Sequence, residues 1–296
     1  MDNFLRNMFY KQRQEFNESS LRRSELMKLP EDVSIIHDIP YGDGEKAHRI
    51  DVYRPANNKN NALPVIVNVH GGGMILGSKE FNSYYCANLC KCGFIVFSVE
   101  YRLVPDVDAF GQYDDLSRAM DYINDNLLDR YNCDKDKVYL VADSGGACIS
   151  IYTVAMQNCD KLALAAKVRP SSLKIRALGL ISGMFYTTRY DKIGMFLPSF
   201  LYGKHYKRSS FAPYTNPDIK DIAGSLPPCY LVTSHNDMLR NYTIRFEKAL
   251  TKYNIIHKLT DYPKNKKLTH AFSVFEPYIP ESICEIHNMT QYLKTF

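Results

Sequence analysis

The chain has 296 residues, enough for one large α/β domain or two small ones, with 45% hydrophobic and 23% charged residues as in ordinary globular proteins. A net charge of +5 is mild and scattered, so no nucleic-acid partner is expected, and KNKK (Lys264–Lys267) reads as a solvated loop. No run approaches the ~18 apolar residues of a membrane span, and the polar start MDNFLRNMFYKQRQEF lacks a signal's apolar stretch, so a cytoplasmic location is expected.

In chain order, residues 3–28 are long-sided, charged and good helix formers, which predicts one or two helices ended by Pro30. Val33–Ile39 and HRIDVY (His48–Tyr53) alternate as strands of an antiparallel edge, joined through the turn YGDGE (Tyr41–Glu45). The pattern then changes. Val65–Val69 is a continuous apolar run, as in a strand buried on both faces. A helix over Phe81–Lys91, a strand over Phe94–Val99, a helix over Asp114–Leu128 and a strand over Val138–Val141 follow. Gly146–Met156 reads as helix and Ile175–Ile181 as strand; Tyr230–Thr233, Asn241–Tyr253 and Ile255–Leu259 read as strand, helix and strand. A helix around Ser282–Leu293 closes the series. Repeated β-α-β order predicts a mostly parallel sheet with helices on both faces, read here as one domain over residues 1–296.

Residues 184–226 break the rhythm. They are rich in Phe, Tyr and Met without a clear period, and predict a lid or substrate pocket near the strand C-termini.

Eight cysteines show no paired framework. Cys86, Cys90 and Cys92 suggest a metal site at first, but Cys86 and Cys90 are spaced i, i+4 as on a helix, and no second Cys/His pair follows. No metal and no cofactor are expected, and the thiols read as reduced and structural.

The stretch VHGGGMILGSK (Val69–Lys79) places three glycines after an apolar strand. A phosphate loop needs Lys before Ser/Thr after its G-x-x-x-x-G, whereas Gly72–Gly77 is followed by Ser78-Lys79. A dinucleotide loop fails as well, because the sixth position counted from Gly71 is Leu76. A bare turn needs fewer glycines. What remains is backbone N–H groups aimed at a developing oxyanion, and that requires a nucleophile.

VYLVADSGGA (Val138–Ala147) supplies one: a strand runs straight into a helix through Ser144. The nucleophile elbow G-x-S-x-G needs small residues two before and two after the Ser, where strand and helix nearly collide. Ala142 adds one methyl group there and Gly146 keeps the second glycine. Ser144 is expected at strained φ/ψ, with the Gly145 N–H facing the oxyanion at a helix N-terminus.

A serine needs a base, and the base an orienting carboxylate, in the order Ser, acid, His. Asp237 lies just past the strand in YLVTSHND (Tyr230–Asp237), and His270 lies in the loop LTHAF before the last helix. His205 precedes the acid, His257 is within a strand and His287 on the terminal helix. His235, two residues from Asp237, is expected to be a local hydrogen-bonding group.

With HGGG (His70–Gly73), EYRLVPD (Glu100–Asp106), ADSGGA (Ala142–Ala147), SHNDML (Ser234–Leu239) and THAF (Thr269–Phe272) in this order, the sequence resembles the hormone-sensitive-lipase-like branch of the α/β-hydrolases. The resemblance implies an eight-stranded, mostly parallel sheet, with a cap from the N-terminal helices (about 1–30) and the insertion after Ile181 (184–226). It implies an oxyanion hole from the N–H groups of Gly72, Gly73 and Gly145, a loop oriented by His70, and Glu100-Tyr101-Arg102 packed beneath it outside the chemistry. The usual elbow of that branch is GDSAGG, so Ala142 and Gly145 depart from it.

The expected function is a serine esterase acting on short-chain, above all acetyl, esters. Tyr side chains of the lid would offer stacking to a sugar or aromatic alcohol. An amidase or formamidase with the same residues, and a non-catalytic ligand-binding protein, are the alternatives; some relatives of the latter kind have lost the His, which this chain keeps. The sequence leaves the oligomeric state open, a homodimer included.

Overall fold

A computed structural model describes residues 2–42, 44, 46–57 and 62–296. A single long helix, α1 (Asp2–Leu26), is followed by β1 (Val33–Pro40), β2 (Arg49–Pro55) and β3 (Leu63–Val69). Next come α2 (Ser83–Lys91), β4 (Ile95–Val99), α3 (Ala109–Tyr122), β5 (Cys133–Asp143) and α4 (Ser144–Met156). A short α5 (Asp160–Ala166) precedes β6 (Leu178–Ile181), and α6 (Lys192–Phe196) and α7 (Pro198–Tyr202) lie in the insertion. The series ends with β7 (Cys229–Ser234), α8 (Arg240–Lys252), β8 (His257–Tyr262), a one-turn α9 (Phe272–Phe275) and α10 (Pro280–Leu293).

The strands form one eight-stranded sheet in the order β1-β2-β4-β3-β5-β6-β7-β8. β1 and β2 pair antiparallel at one edge, β2 meets β4 antiparallel, and every later pairing is parallel. Of the turn expected at Tyr41–Glu45, Asp43 and Glu45 lie outside the described residues.

The continuous apolar runs are explained by two-sided burial. Val65, Val67 and Val69 of β3 join Phe97 of β4 and Leu140 of β5 in a core beneath α3, α4 and α8. Ile66, Val96, Tyr139 and Val141, the alternate residues of the same strands, join the core beneath α2 and α10. Cys86 and Cys90 are buried in this second core on α2, as their helical spacing requires, and all eight cysteines are free. KNKK lies in the loop after β8. Among the described residues no helix is long and apolar enough to cross a membrane.

Three details differ from the sequence reading. α3 starts at Ala109, because Asp108 caps it by accepting the Gly111 N–H at 2.9 Å, and it ends in a wide π turn over Ile123–Leu127. α5 escaped detection, since seven residues carry little periodicity. β6 begins three residues later than its apolar run.

One buried acid sits in the second core. Glu285 of α10 is fully enclosed, and burial pushes its carboxyl up to about 8, partly offset by the Ser273 hydroxyl. The folded chain therefore keeps a proton that the unfolded chain releases above about pH 4.3. Stability contributed by the neutral acid is full below that pH and is lost as pH rises through about 8. Glu285→Gln should gain on the parent over this window by on the order of a few kcal/mol and then level off. Melting temperatures of the two proteins across the window test this; a gap that does not change with pH sinks it.

Candidate active site

The junction of β5 and α4 is closely packed against the end of β3. Ser144 starts α4 with φ +47°, a left-handed conformation that a non-glycine residue holds only where its surroundings impose it. The crowding that imposes it is measurable at Gly146, where a Cβ would stand 2.3 Å from the His70 carbonyl oxygen and 2.4 Å from that of Val69. Ala142, the departure at the other side of the elbow, pairs with Val69 and Leu180 within the sheet and is fully buried.

Two residues expected at strand ends are brought to Ser144. His270 Nε2 lies 3.0 Å from Ser144 Oγ, and His270 Nδ1 lies 2.7 Å from Asp237 Oδ1. An ionised carboxylate only accepts, so Nδ1 carries the hydrogen and Nε2 presents its lone pair to the serine hydroxyl. Asp237 is held by more than the histidine: Oδ1 also accepts the Leu239 N–H at 2.8 Å and Oδ2 accepts the Thr233 hydroxyl at 2.8 Å. Burial alone would raise this carboxyl, but the His270 bond and charge, with the Leu239 N–H and the Ser182 hydroxyl, bring it below its ordinary value.

The glycine loop is pinned from behind. His70 Nδ1 lies 2.8 Å from the Gly71 carbonyl and Nε2 lies 3.0 Å from Glu100 Oε1. Both partners are acceptors, so both ring nitrogens donate. Burial pulls this imidazole down, and the Glu100 charge and bond outweigh it, leaving it above its ordinary value. The ring stacks on Tyr101 at 4.3 Å, and the Tyr101 hydroxyl donates to the His70 carbonyl at 2.7 Å. Arg102 grips Asp115 beneath. Glu100, Tyr101 and Arg102 thus lie under the loop, as the resemblance implied.

The loop's own donors are sorted. Gly71 N–H is occupied by Asp143 Oδ1 at 3.0 Å, and those of Ile75 and Leu76 by the Gly72 carbonyl. Among the described residues, the Gly72 and Gly73 N–H groups have no protein acceptor. The Gly73–Met74 peptide lies against Gly145, where a Cβ would come within 2.6 Å of Met74 N and 2.9 Å of Gly73 N. The Gly145 N–H, in the first turn of α4, has no intrahelical partner.

Several supporting residues were missed from sequence. Ser182 Oγ at the end of β6 accepts the Ala271 N–H at 2.9 Å, and Ser234 Oγ at the end of β7 donates to the Leu268 carbonyl at 2.6 Å. Together they stitch the His270 loop to the sheet. Asp143 also accepts from Asn82 at 3.0 Å. Only their position at strand ends could have flagged them. His235 differs from expectation: it is exposed, and its backbone N–H, not its ring, makes the local bond, to Tyr262. Among the described residues no other histidine bonds to Ser144, and His257 of β8 is held by the Ile255 carbonyl and by Glu247 of α8.

The insertion's aromatics also differ from expectation. Tyr202 and Phe211 are buried with Tyr113 and Tyr152 of α3 and α4, and Phe185 stacks on Phe246 of α8. These three are used for packing, whereas Tyr190 and Phe196 of the same insertion are exposed. α1 lies over the catalytic side: Arg13 donates to the Ile75 and Val104 carbonyls, Arg23 to those of Phe81, Val274 and Phe275, and Phe9 packs on Phe200 of α7.

The family pattern of the alpha/beta hydrolase fold matches residues 66–274, which include the loop, the elbow, the acid and the histidine. The chain belongs to the α/β-hydrolase fold family. Among its relatives in that family, an arylesterase of Saccharolobus solfataricus is 33% identical over 202 residues, 65% of this chain and 63% of that protein. A probable isoprenylcysteine α-carbonyl methylesterase of Arabidopsis thaliana is 28% identical over 208 residues, 67% of this chain and 43% of that protein. The chain thus spans less than two thirds of the length of these relatives. Among solved structures, esterase B from Lactobacillus rhamnosis, inhibited by a tributyrin phosphonate, superposes with a TM-score of 0.92 at 21% identity, covering 100% of this chain and 96% of that one. An esterase of Pyrobaculum calidifontis gives 0.72 at 23% identity, covering 97% and 93%. At these identities the structural likeness concerns the fold.

The elbow's crowding has a direct test. Gly146→Ala must push α4 away from two backbone carbonyls, which costs about 3 kcal/mol and should lower the melting temperature by roughly 5–10 °C. An unchanged melting temperature would mean that the close approach of β3 and α4 is not a constraint.

Proposed function

We propose that the protein is a serine carboxylesterase acting on esters with short acyl groups. The observation that carries this reading is the hydrogen-bonded chain Ser144–His270–Asp237, with His270 within 3.0 Å of the serine oxygen and 2.7 Å of the carboxylate.

In the proposed reaction Ser144 Oγ attacks the ester carbonyl while His270 Nε2 takes its proton. The carbonyl oxygen becomes an oxyanion, received by the N–H groups of Gly72, Gly73 and Gly145. The first two lack protein acceptors and the third sits at the positive end of α4. The tetrahedral centre collapses, the C–O bond to the alcohol breaks, and His270 hands the proton to the leaving oxygen. Water, deprotonated by the same nitrogen, then releases the acid and frees the serine. Asp237 holds the imidazole tautomer and balances its charge, and His70 fixes the loop through the Gly71 carbonyl. Atoms and protons balance with ester and water alone, so the scheme uses no cofactor.

The ester class is supported by the esterase activities of the relatives and by the phosphonate that inhibits Lactobacillus rhamnosis esterase B, a mimic of a tetrahedral centre on a nucleophile. The preference for short, acetyl-like acyl groups rests on the tightness around the nucleophile, since Ser144 is only 7% exposed. In this reading the chain is one domain, capped by α1 and by residues 184–226.

Hydrolysis of p-nitrophenyl acetate, butyrate and octanoate by the purified protein tests the proposal. Activity should fall with acyl length, drop by roughly 10⁶-fold in Ser144→Ala and by about 10⁴-fold in Asp237→Asn. Equal, feeble rates in parent and Ser144→Ala would overturn the serine assignment. Faster turnover of a matched anilide than of the ester would move the reading to an amidase.

A further inference from the structure

The outer face of the insertion combines apolar side chains and cations in a way that packing does not explain. Tyr190 is fully exposed, Met195 is 64% and Phe196 45% exposed, all in or beside α6. Lys192 lies in the same helix, and the following turn carries Lys207 and Arg208. These three cations are exposed, and among the described residues none of them makes an ion pair. A cavity of about 480 Å³ brings Met195 of the first group together with Lys207 and Arg208 of the second. It is lined by Met195 and Pro198 on one side and by Lys204, His205, Lys207 and Arg208 on the other, with no carboxylate. The nearest acid in the segment, Asp191, is already engaged: it caps α6 through the Gly194 N–H at 3.1 Å and accepts the Tyr242 hydroxyl at 2.5 Å.

We propose that this face docks on an anionic lipid surface. Exposed apolar side chains beside unpaired cations suit the headgroup boundary, where the former sink toward the acyl chains and the latter meet phosphates. A nucleic acid would satisfy the cations but leave Met195 and Phe196 without partners. The face is coupled to the nucleophile's side of the molecule: Asp191 is tied to Tyr242 of α8, which follows the Asp237 loop, and the insertion begins at Met184, whose N–H donates to the Ser144 carbonyl at 2.9 Å. Docking would therefore set the cap, and not the sheet edges, against the lipid.

Co-sedimentation of the full chain with vesicles tests this without any turnover, so its failure is separate from a failure of the esterase reading. Vesicles of phosphatidylcholine are compared with vesicles containing phosphatidylglycerol in equal amount. Binding is expected only to the second kind and should weaken strongly at about 0.5 M salt. Each cation near such a surface contributes about five-fold in affinity, so Lys207→Gln with Arg208→Gln should weaken binding by roughly 25-fold. Met195→Ser with Phe196→Ser should weaken binding at low and high salt alike. Both double variants sit on the surface and should keep the parent's melting temperature. Equal binding to neutral and anionic vesicles, no binding to either, or undiminished binding by the charge-neutralised variant would overturn the proposal. So would light scattering that shows a dimer which Met195→Ser with Phe196→Ser converts to monomer, because the face would then join two copies of the chain.

Discussion

The near-collision of the β3 end with the start of α4 is the constraint on which the rest of the candidate active site depends. The carbonyls of Val69 and His70 stand so close to Gly146 that no side chain fits there. That contact fixes how steeply the chain turns from β5 into α4, and the turn places Ser144 at φ +47°. It also seats the glycine loop directly against Gly145. Backbone atoms define the geometry at every one of these points, so the arrangement is as rigid as the sheet itself.

A second layer converts that geometry into usable chemistry through buried charge. Asp143 and Glu100 are carboxylates whose oxygens hold loop N–H groups and His70, not solvent. Burial raises Asp143, so the bonds from Asn82 and Gly71 are what keep its charged form tolerable. Such groups cost desolvation to enclose, and that cost is met only while the loop stays in place. The loop is therefore held by interactions that would become unfavourable if it moved. This suits the oxyanion role proposed for the loop, in which N–H groups meet a charge that exists only briefly.

The sequence made the central residues legible because each left a local mark. Three consecutive glycines, a strand running into a helix through Ser144, an acid one step past β7 and a histidine in the last loop are short-range patterns, and their order along the chain narrowed the choice. The supports were not legible. Thr233, Ser182 and Ser234 are ordinary strand-end hydroxyls, and their partners lie 4, 89 and 34 residues away. Only the assembled sheet says which hydroxyl meets which loop. The aromatic insertion was only partly legible, for the opposite reason. Its Tyr and Phe residues look available in one dimension, but most are spent filling the gap between α3, α4, α8 and the cap.

The helix that roofs the site brings an asymmetry in time. Arg23 of α1 closes its bonds on the carbonyls of Val274 and Phe275, which lie 251 and 252 residues further along. The ribosome delivers amino acids at about 5–20 per second, so this early helix waits on the order of tens of seconds before its dock exists. Throughout that interval Phe9 and Phe16, later covered by Phe200 and Phe81, are without their lasting neighbours. The sheet can gather its strands from the β1–β2 edge across to β8 as they emerge, but the roof is made before the strands and settles after them. Nascent chains of this protein thus present an unattached helix with exposed Phe side chains while the residues between Leu26 and Val274 are made, a ready handle for a holding chaperone.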